Sequence, residues 1–458
     1  MKINVFFLLF LILFSCGQVQ EEVSPTAVLL QNVHVVDVIN GTLLENYQVV
    51  VDSGRILKLA TEIPFAEDYS VIVDGKEGYV VPGLTEMHAH IPSPPTSEQR
   101  IEETLYLYLA GGITTIRGML GHPYHIQLRE EVMKGSIPGP RIFTSSPSLN
   151  GNTVPTAEEA VKKVRQYASQ GYDFLKIHPG IKRDVFDSLA ATARKEGIPF
   201  AGHVPVDVGI RHALESGYAT IDHVDGYLEG LVPESAGVQP EENGFFGFNF
   251  TSLTDTARMG ELMDLTRTHE VWVVPTQSLF ERWFAPTTAD SLLSQPEMKY
   301  MPVKTLQNWK RIKEQYMEDP AWDPQQWKTF DAIRLELISR LLKEGHGLLL
   351  GSDAPQLFNV PGFSIHHEID GMERAGLTPL QILQIGTIEP ARYFGQQDHW
   401  GSVEEGKSAD FILVRGNPLE DLDALQDLEG IMVRGAWYPK EVIAKKLEMI
   451  AGNAAGGQ

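Results

Sequence analysis

The chain has 458 residues, of which 43% are hydrophobic and 21% charged, with 41 glycines and 28 prolines. That composition is ordinary for globular proteins and excludes a disordered, collagenous or polytopic membrane protein. The net charge of −22 repels phosphate backbones and argues against a nucleic-acid partner. The lone cysteine, Cys16, excludes an internal disulfide framework and a cysteine-based zinc site.

The chain opens with Lys2 and an unbroken apolar run over 5–14. Ten residues match a signal-peptide core, whereas a spanning helix needs about 20. The run ends in Leu13-Phe14-Ser15-Cys16, which resembles a bacterial lipobox. The resemblance implies a lipoprotein signal peptide over 1–16, with Cys16 lipidated and 17–26 a polar tether. Gly17 after the cysteine resembles lipoproteins of the outer membrane, implying a periplasm-facing, lipid-anchored protein. The alternative is a plain secretory signal with an incidental cysteine.

Strand-like runs follow at 27–38, at 47–59 with an Asp52-Ser53-Gly54 turn, and at 70–73. From Pro82 onward, short β-rich runs alternate with amphipathic helices. The runs are 84–90, 114–119, 141–145, 173–178, 200–204, 220–224, 271–277 and 348–353. Thr156 and Glu159 mark a capping box for a helix reaching Gln170, and a second helix is expected over 184–196. Eight strands alternating with helices predict an α/β fold, a parallel (β/α)₈ TIM barrel over 82–397. Two insertions, 225–251 and 278–326, follow barrel strands and are therefore expected at its active-site face. The tryptophans of the second, Trp283, Trp309 and Trp322, and Trp327 beyond it, read as core packing or as a pocket wall. β character returns late, so 27–81 and 398–448 are expected to form one small β-sandwich domain, with 449–458 a flexible tail.

Chemistry concentrates at the strand ends. His88 and His90 alternate with Ala89, so on a strand they share a face and can chelate one ion. Fourteen histidines give about 0.4 such pairs by chance, so the pair alone decides little. His203, His223 and Asp353 each close a further predicted strand, where barrel active sites lie. Together these residues resemble the amidohydrolase superfamily over nearly the whole mature chain. The superfamily pattern implies that His88, His90 and Asp353 hold one divalent ion and that His203 and His223 hold a second. Lys176 falls where binuclear members carry a carboxylated lysine bridging both. A bare ammonium about 4 Å from a divalent ion would be repelled by roughly 8 kcal/mol at an effective dielectric of 20, and carboxylation reverses that sign. The alternative is a lysine reaching toward solvent. Imidazole and carboxylate ligands favour Zn²⁺ over Mn²⁺, Co²⁺ or Ni²⁺. The implied reaction is attack of a metal-bridging hydroxide on an amide carbonyl, with Asp353 as the catalytic base.

The segments 364–369, 374–379, 387–392 and 401–410 resemble the imidazolonepropionase-related branch. Imidazolonepropionases lack the bridging lysine, so Lys176 points to the branch's prolidase-like binuclear relatives. The implied function is hydrolysis of a C–N bond in a dipeptide or small acyl-amide. A cyclic amide of the imidazolonepropionase type is the alternative, and a metal-loaded binding lipoprotein without catalysis is the alternative from another class. One departure is Gly118, which follows Arg117 where the branch usually carries aspartate. His178, two residues beyond Lys176, and His122, in the loop after the second strand with His125, are candidate substrate contacts.

Overall fold

The computed structural model describes Ser24, 26–64, 66–320 and 322–456. The signal-peptide and lipobox readings, including Cys16, and nearly all of the 17–26 tether lie outside the described residues. No helix among the described residues is long and apolar enough to cross a membrane.

The first four strands are β1 (Val28–Asp37), β2 (Thr42–Asp52), β3 (Arg55–Ala60) and β4 (Val71–Pro82). β1 is rich in valine and leucine and pairs antiparallel with β2 and parallel with β4. Ser53 and Gly54 both take positive φ at the β2–β3 turn. Next come β5 (Leu84–Ala89), β6 (Ile113–Gly118), β7 (Arg141–Thr144) and β8 (Leu175–Ile177). They continue with β9 (Phe200–Gly202), β10 (Thr220–Asp222), β11 (Trp272–Val274) and β12 (Gly347–Leu348). These eight stand where the sequence predicts strands, but most are shorter. They pair parallel as β5-β6-β7 and β8-β9-β10-β11-β12. Backbone bonds bridge both seams: Asp173 N–H donates to the Thr144 carbonyl at 3.0 Å and Met87 N–H to the Leu350 carbonyl at 2.9 Å. The eight strands therefore succeed one another around a ring, with their C-terminal ends on one face.

Helices intervene between strands. Thr156 caps the helix Ala157–Ser169 by accepting from Glu159 N–H at 3.3 Å, while the Glu159 carboxylate reaches Lys162 instead of returning to the cap. The second insertion folds into the helices Gln277–Trp283, Ala289–Leu293 and Val303–Met317 before the long helix Pro324–Glu344. Trp309 and Trp327 are buried in the main core, which is the packing role.

The chain then adds β13 (Phe411–Val414), β14 (Leu428–Val433) and β15 (Ala436–Pro439) to the N-terminal strands, in the order β15-β14-β13-β4-β1-β2-β3. The sandwich is one curled sheet. Its edge returns on itself where Ile56 N–H donates to the Lys407 carbonyl and Ala409 N–H to the Gly54 carbonyl, each at 2.9 Å. Val28, Val51 and Ile56 thereby share a core with Phe411, Leu413 and Met432.

The C-terminal tail is a correction. Residues 449–455 are not frayed but continue the helix Lys440–Ala455. Ile443, Leu447, Ile450 and Ala454 recur at helical spacing, and Ile450 and Ala454 are buried. Asn453 Nδ2 also donates to Glu103 Oε1 at 2.6 Å.

Candidate metal centre

β5 delivers His88 and His90 to the mouth of the ring, and the segment after β12 brings Asp353 against them. His90 Nε2 lies 2.6 Å and His88 Nε2 3.5 Å from Asp353 Oδ1. One ligand atom from each of the three residues falls within 4.8 Å of the others. The remaining expected residues join the same cluster. The His223 ring centroid is 4.5 Å from that of His88 and 4.6 Å from that of His203. His223 Nδ1 is 3.9 Å from Asp353 Oδ2. Lys176 Nζ, on β8, approaches Asp222 Oδ2 at 3.9 Å.

The backbone is specialised for this convergence. His223 and Asp353 adopt φ of +67° and +66°, a left-handed conformation that L-residues rarely take and that concentrates at functional sites. Gly202 on β9 has φ +124°. A Cβ there would sit 2.4 Å from the Ile177 carbonyl oxygen and 3.1 Å from Lys176 Cδ, so only glycine leaves room for the lysine stem.

Lys176 is fully buried, which removes the solvent-facing alternative. Its Nζ has no hydrogen-bond partner among the described residues, and neither have His88 Nδ1, Asp222 Oδ2 and Asp353 Oδ1. Four orphaned polar atoms in one buried cluster are expensive unless a charged group satisfies them. Burial also lowers the Lys176 pKa, which favours the neutral, nucleophilic amine. Desolvation pushes His88 and His223 well below the usual imidazole range and His203 to about 3, so each offers a free lone pair. A donor set of four imidazoles, a carboxylate and a lysine able to become anionic fits divalent cations.

A second layer orients these donors. Asp225 Oδ2 holds His203 Nδ1 at 3.0 Å and also accepts from Val204 N–H. Thr276 Oγ1 lies 2.8 Å from His223 Nδ1, and Asp222 Oδ2 lies 3.3 Å from His88 Nδ1. The Asp225 and Thr276 contacts each occupy one ring nitrogen and turn the other toward the cluster, whereas Asp222 lies beside His88 as a nearby charge without a hydrogen bond. Glu86, buried on β5 with its pKa pushed up by desolvation to about 8, accepts from Ser352 N–H and Oγ and from His88 N–H. It ties the first strand to the segment carrying Asp353. Arg117, wholly buried, donates to Asp222 Oδ1 at 2.8 Å, to the Met87 carbonyl and to Thr220 Oγ1.

The sequence reading missed Asp222 and Asp225. Period-two reasoning puts Asp222 on the strand face opposite His223, but the left-handed turn at His223 breaks that alternation. The available signal was the acidic pair flanking the histidine in Asp222-His223-Val224-Asp225. His178 stands beside the cluster, its ring 5.1 Å from His203 and its Nδ1 2.5 Å from Ser148 Oγ. His122 is committed locally: its Nδ1 accepts from Tyr124 N–H and caps the helix Pro123–Met133. The first insertion contributes Phe246, whose ring lies 5.4 Å from His223 and 5.9 Å from His203.

Residues 79–438 match the amidohydrolase family, and the chain belongs to that family as a hydrolase acting on carbon–nitrogen bonds. Ochratoxinase from Aspergillus niger is similar, with 21% identity over 444 residues, covering 86% of this chain and 82% of that protein. Among solved structures, a bottromycin amidohydrolase superposes with a TM-score of 0.71 at 22% identity, covering 94% of this chain and 91% of that one. An Xaa-Pro dipeptidase with bound methionine gives 0.64 at 20% identity, covering 90% and 100%.

Proposed function

We propose that the protein is a binuclear, metal-dependent amidohydrolase that cleaves the amide bond of a dipeptide, prolidase-like, or of a small acyl-amide. The buried Lys176 amine, without a hydrogen-bond partner among the described residues and 3.9 Å from Asp222 beside the cluster of histidines and Asp353, carries this reading. His88, His90 and Asp353 would hold one ion, His203 and His223 the other, with a carboxylated Lys176 between them and zinc the best match to the donors. When bound, the ions supply Lewis acidity that polarises an amide carbonyl and lowers the pKa of water.

The chain's own residues do the rest. The Asp353 carboxylate, at the mouth, accepts the proton of the attacking water and returns it to the leaving nitrogen as the C–N bond breaks. Asp225 and Thr276 keep the imidazoles of His203 and His223 aimed, so no reorientation is needed during turnover. His178, beside His203 and reachable from the mouth, is placed to contact substrate.

Elemental analysis of gently purified protein is expected to give about two metal ions per chain, alongside turnover of some members of a dipeptide panel. Full activity with one ion would reject the binuclear reading and favour the imidazolonepropionase type. Bound metal with no turnover of dipeptides, lactams or lactones would favour the binding lipoprotein.

We also propose that Cys16 is lipidated and anchors the enzyme facing the periplasm. Cys16→Ser should move the protein from the membrane to the soluble fraction and leave amide hydrolysis intact. Unchanged membrane association would remove the lipobox reading.

A further inference from the structure

We infer that Phe246 builds an apolar subsite for the group flanking the scissile amide, so that the preferred substrates carry an aromatic or bulky aliphatic side chain there. The inference rests on the hydrolase reading above and deepens it.

The turn that carries Phe246 is strained and tightly held. Gly244, Phe246 and Gly247 have φ of +70°, +53° and +77°, and an aromatic residue in the left-handed region is uncommon. A Cβ on Gly247 would come within 2.8 Å of Leu228 Cδ2 and 2.9 Å of Glu229 Oε2, so the turn is pressed against the short helix Tyr227–Gly230. Asn243 Nδ2 donates to Glu229 Oε1 at 2.8 Å on one side of the turn. On the other side the Phe248 ring packs between Phe284 and Phe330, with centroids 5.3 and 5.2 Å away.

Phe248 and Phe250 are buried, which satisfies the insertion's own core. Phe246 packs only at the edge of the core. It remains half-buried, facing the imidazoles of His203 and His223, with its ring edge-on to Phe280 at 4.9 Å. Beside it, Phe245, 57% exposed, meets Trp283 at 5.0 Å and extends the apolar wall outward. Strained backbone that persists at a site mouth is held there by its surroundings, and here it presents an aromatic ring beside two candidate metal ligands. A flat or branched apolar side chain can pack against that ring, whereas a charged one would lose water without gaining a partner.

The test compares metal-loaded wild type with Phe246→Ala, Phe246→Trp and Gly247→Ala, using Phe-Ala, Ala-Phe, Ala-Ala and Ala-Asp as substrates. Wild type is expected to prefer one phenylalanine dipeptide over Ala-Ala by about tenfold in kcat/KM. That preference should fall to within about twofold in Phe246→Ala and in Gly247→Ala, which displaces the turn, and survive in Phe246→Trp. Calorimetry with N-acetylphenylalanine and N-acetylalanine supplies a readout independent of turnover. Tighter binding of the aromatic compound should be seen in wild type and lost in Phe246→Ala. Hydrolysis with the preference unchanged in Phe246→Ala, or lowered equally for every substrate, would overturn the subsite and leave the hydrolase reading intact. If wild type cleaves no dipeptide, the dipeptidase reading fails and binding decides: a selective loss in Phe246→Ala upholds the subsite, and equal affinities overturn it.

Discussion

Lys176→Ala is expected to lose nearly all activity and most of the bound metal. In the proposed centre a carbamate would supply two anionic oxygens between two cations, and removing it would leave like charges without a bridge. The alanine also opens a void at a position that is fully buried in the native chain. Acetate or propionate can occupy that void and restore the missing oxygens, so either should recover part of the rate. Lys176→Arg should not respond, because guanidinium stays charged, fills the space and cannot take up CO₂. If Lys176 were an ordinary structural lysine, Lys176→Arg would be nearly neutral, carboxylic acids would do nothing and metal content would hold. Metal content and dipeptide hydrolysis for both variants, with and without propionate, distinguish the two cases.

Arg117→Met should destabilise the metal-free protein by about 3–5 kcal/mol, because it strands the buried Asp222 carboxylate without its cation. The guanidinium also lies over the Phe174 and Tyr393 rings, 5.4 and 5.5 Å from their centroids, which adds aromatic contact to a wholly buried group. Adding Asp222→Leu should recover much of that stability, since replacing both partners of a buried pair by apolar groups is often neutral. The double variant should still bind metal roughly 10- to 100-fold more weakly, because His88 has lost the carboxylate beside its ring. Denaturant unfolding and metal titration on the same samples check both halves. Metal affinity restored together with stability would mean that Asp222 only neutralises Arg117.

The eight strand positions were legible because parallel barrel strands are short, buried and flanked by helices, and each leaves an apolar run ending near the site. His88, His90, His203, His223 and Asp353 were legible for the same reason, since they stand at or near the ends of such runs, and Lys176 was legible through the superfamily resemblance. What lies around them was not. Asp222 reads as a residue of the wrong face until the left-handed turn at His223 is known. Arg117 could be seen only as the matching half of a two-residue motif, although it pairs with a residue more than a hundred positions away. The helical tail follows an apolar spacing that a run of glycines and alanines near the terminus obscured. Phe246 sits in an insertion with no repeating pattern, so its place beside His203 and His223 follows from backbone angles that neighbouring side chains impose.

The sequence by itself determined which residues end strands, because strand periodicity is set by neighbours one and two positions away, and the resemblance to the amidohydrolase superfamily then implied a donor set among them. Only the tertiary structure decided which groups orient those donors and what stands over them. Those residues occupy turns and insertions, where the backbone does not repeat and direction is set by contacts distant in the chain.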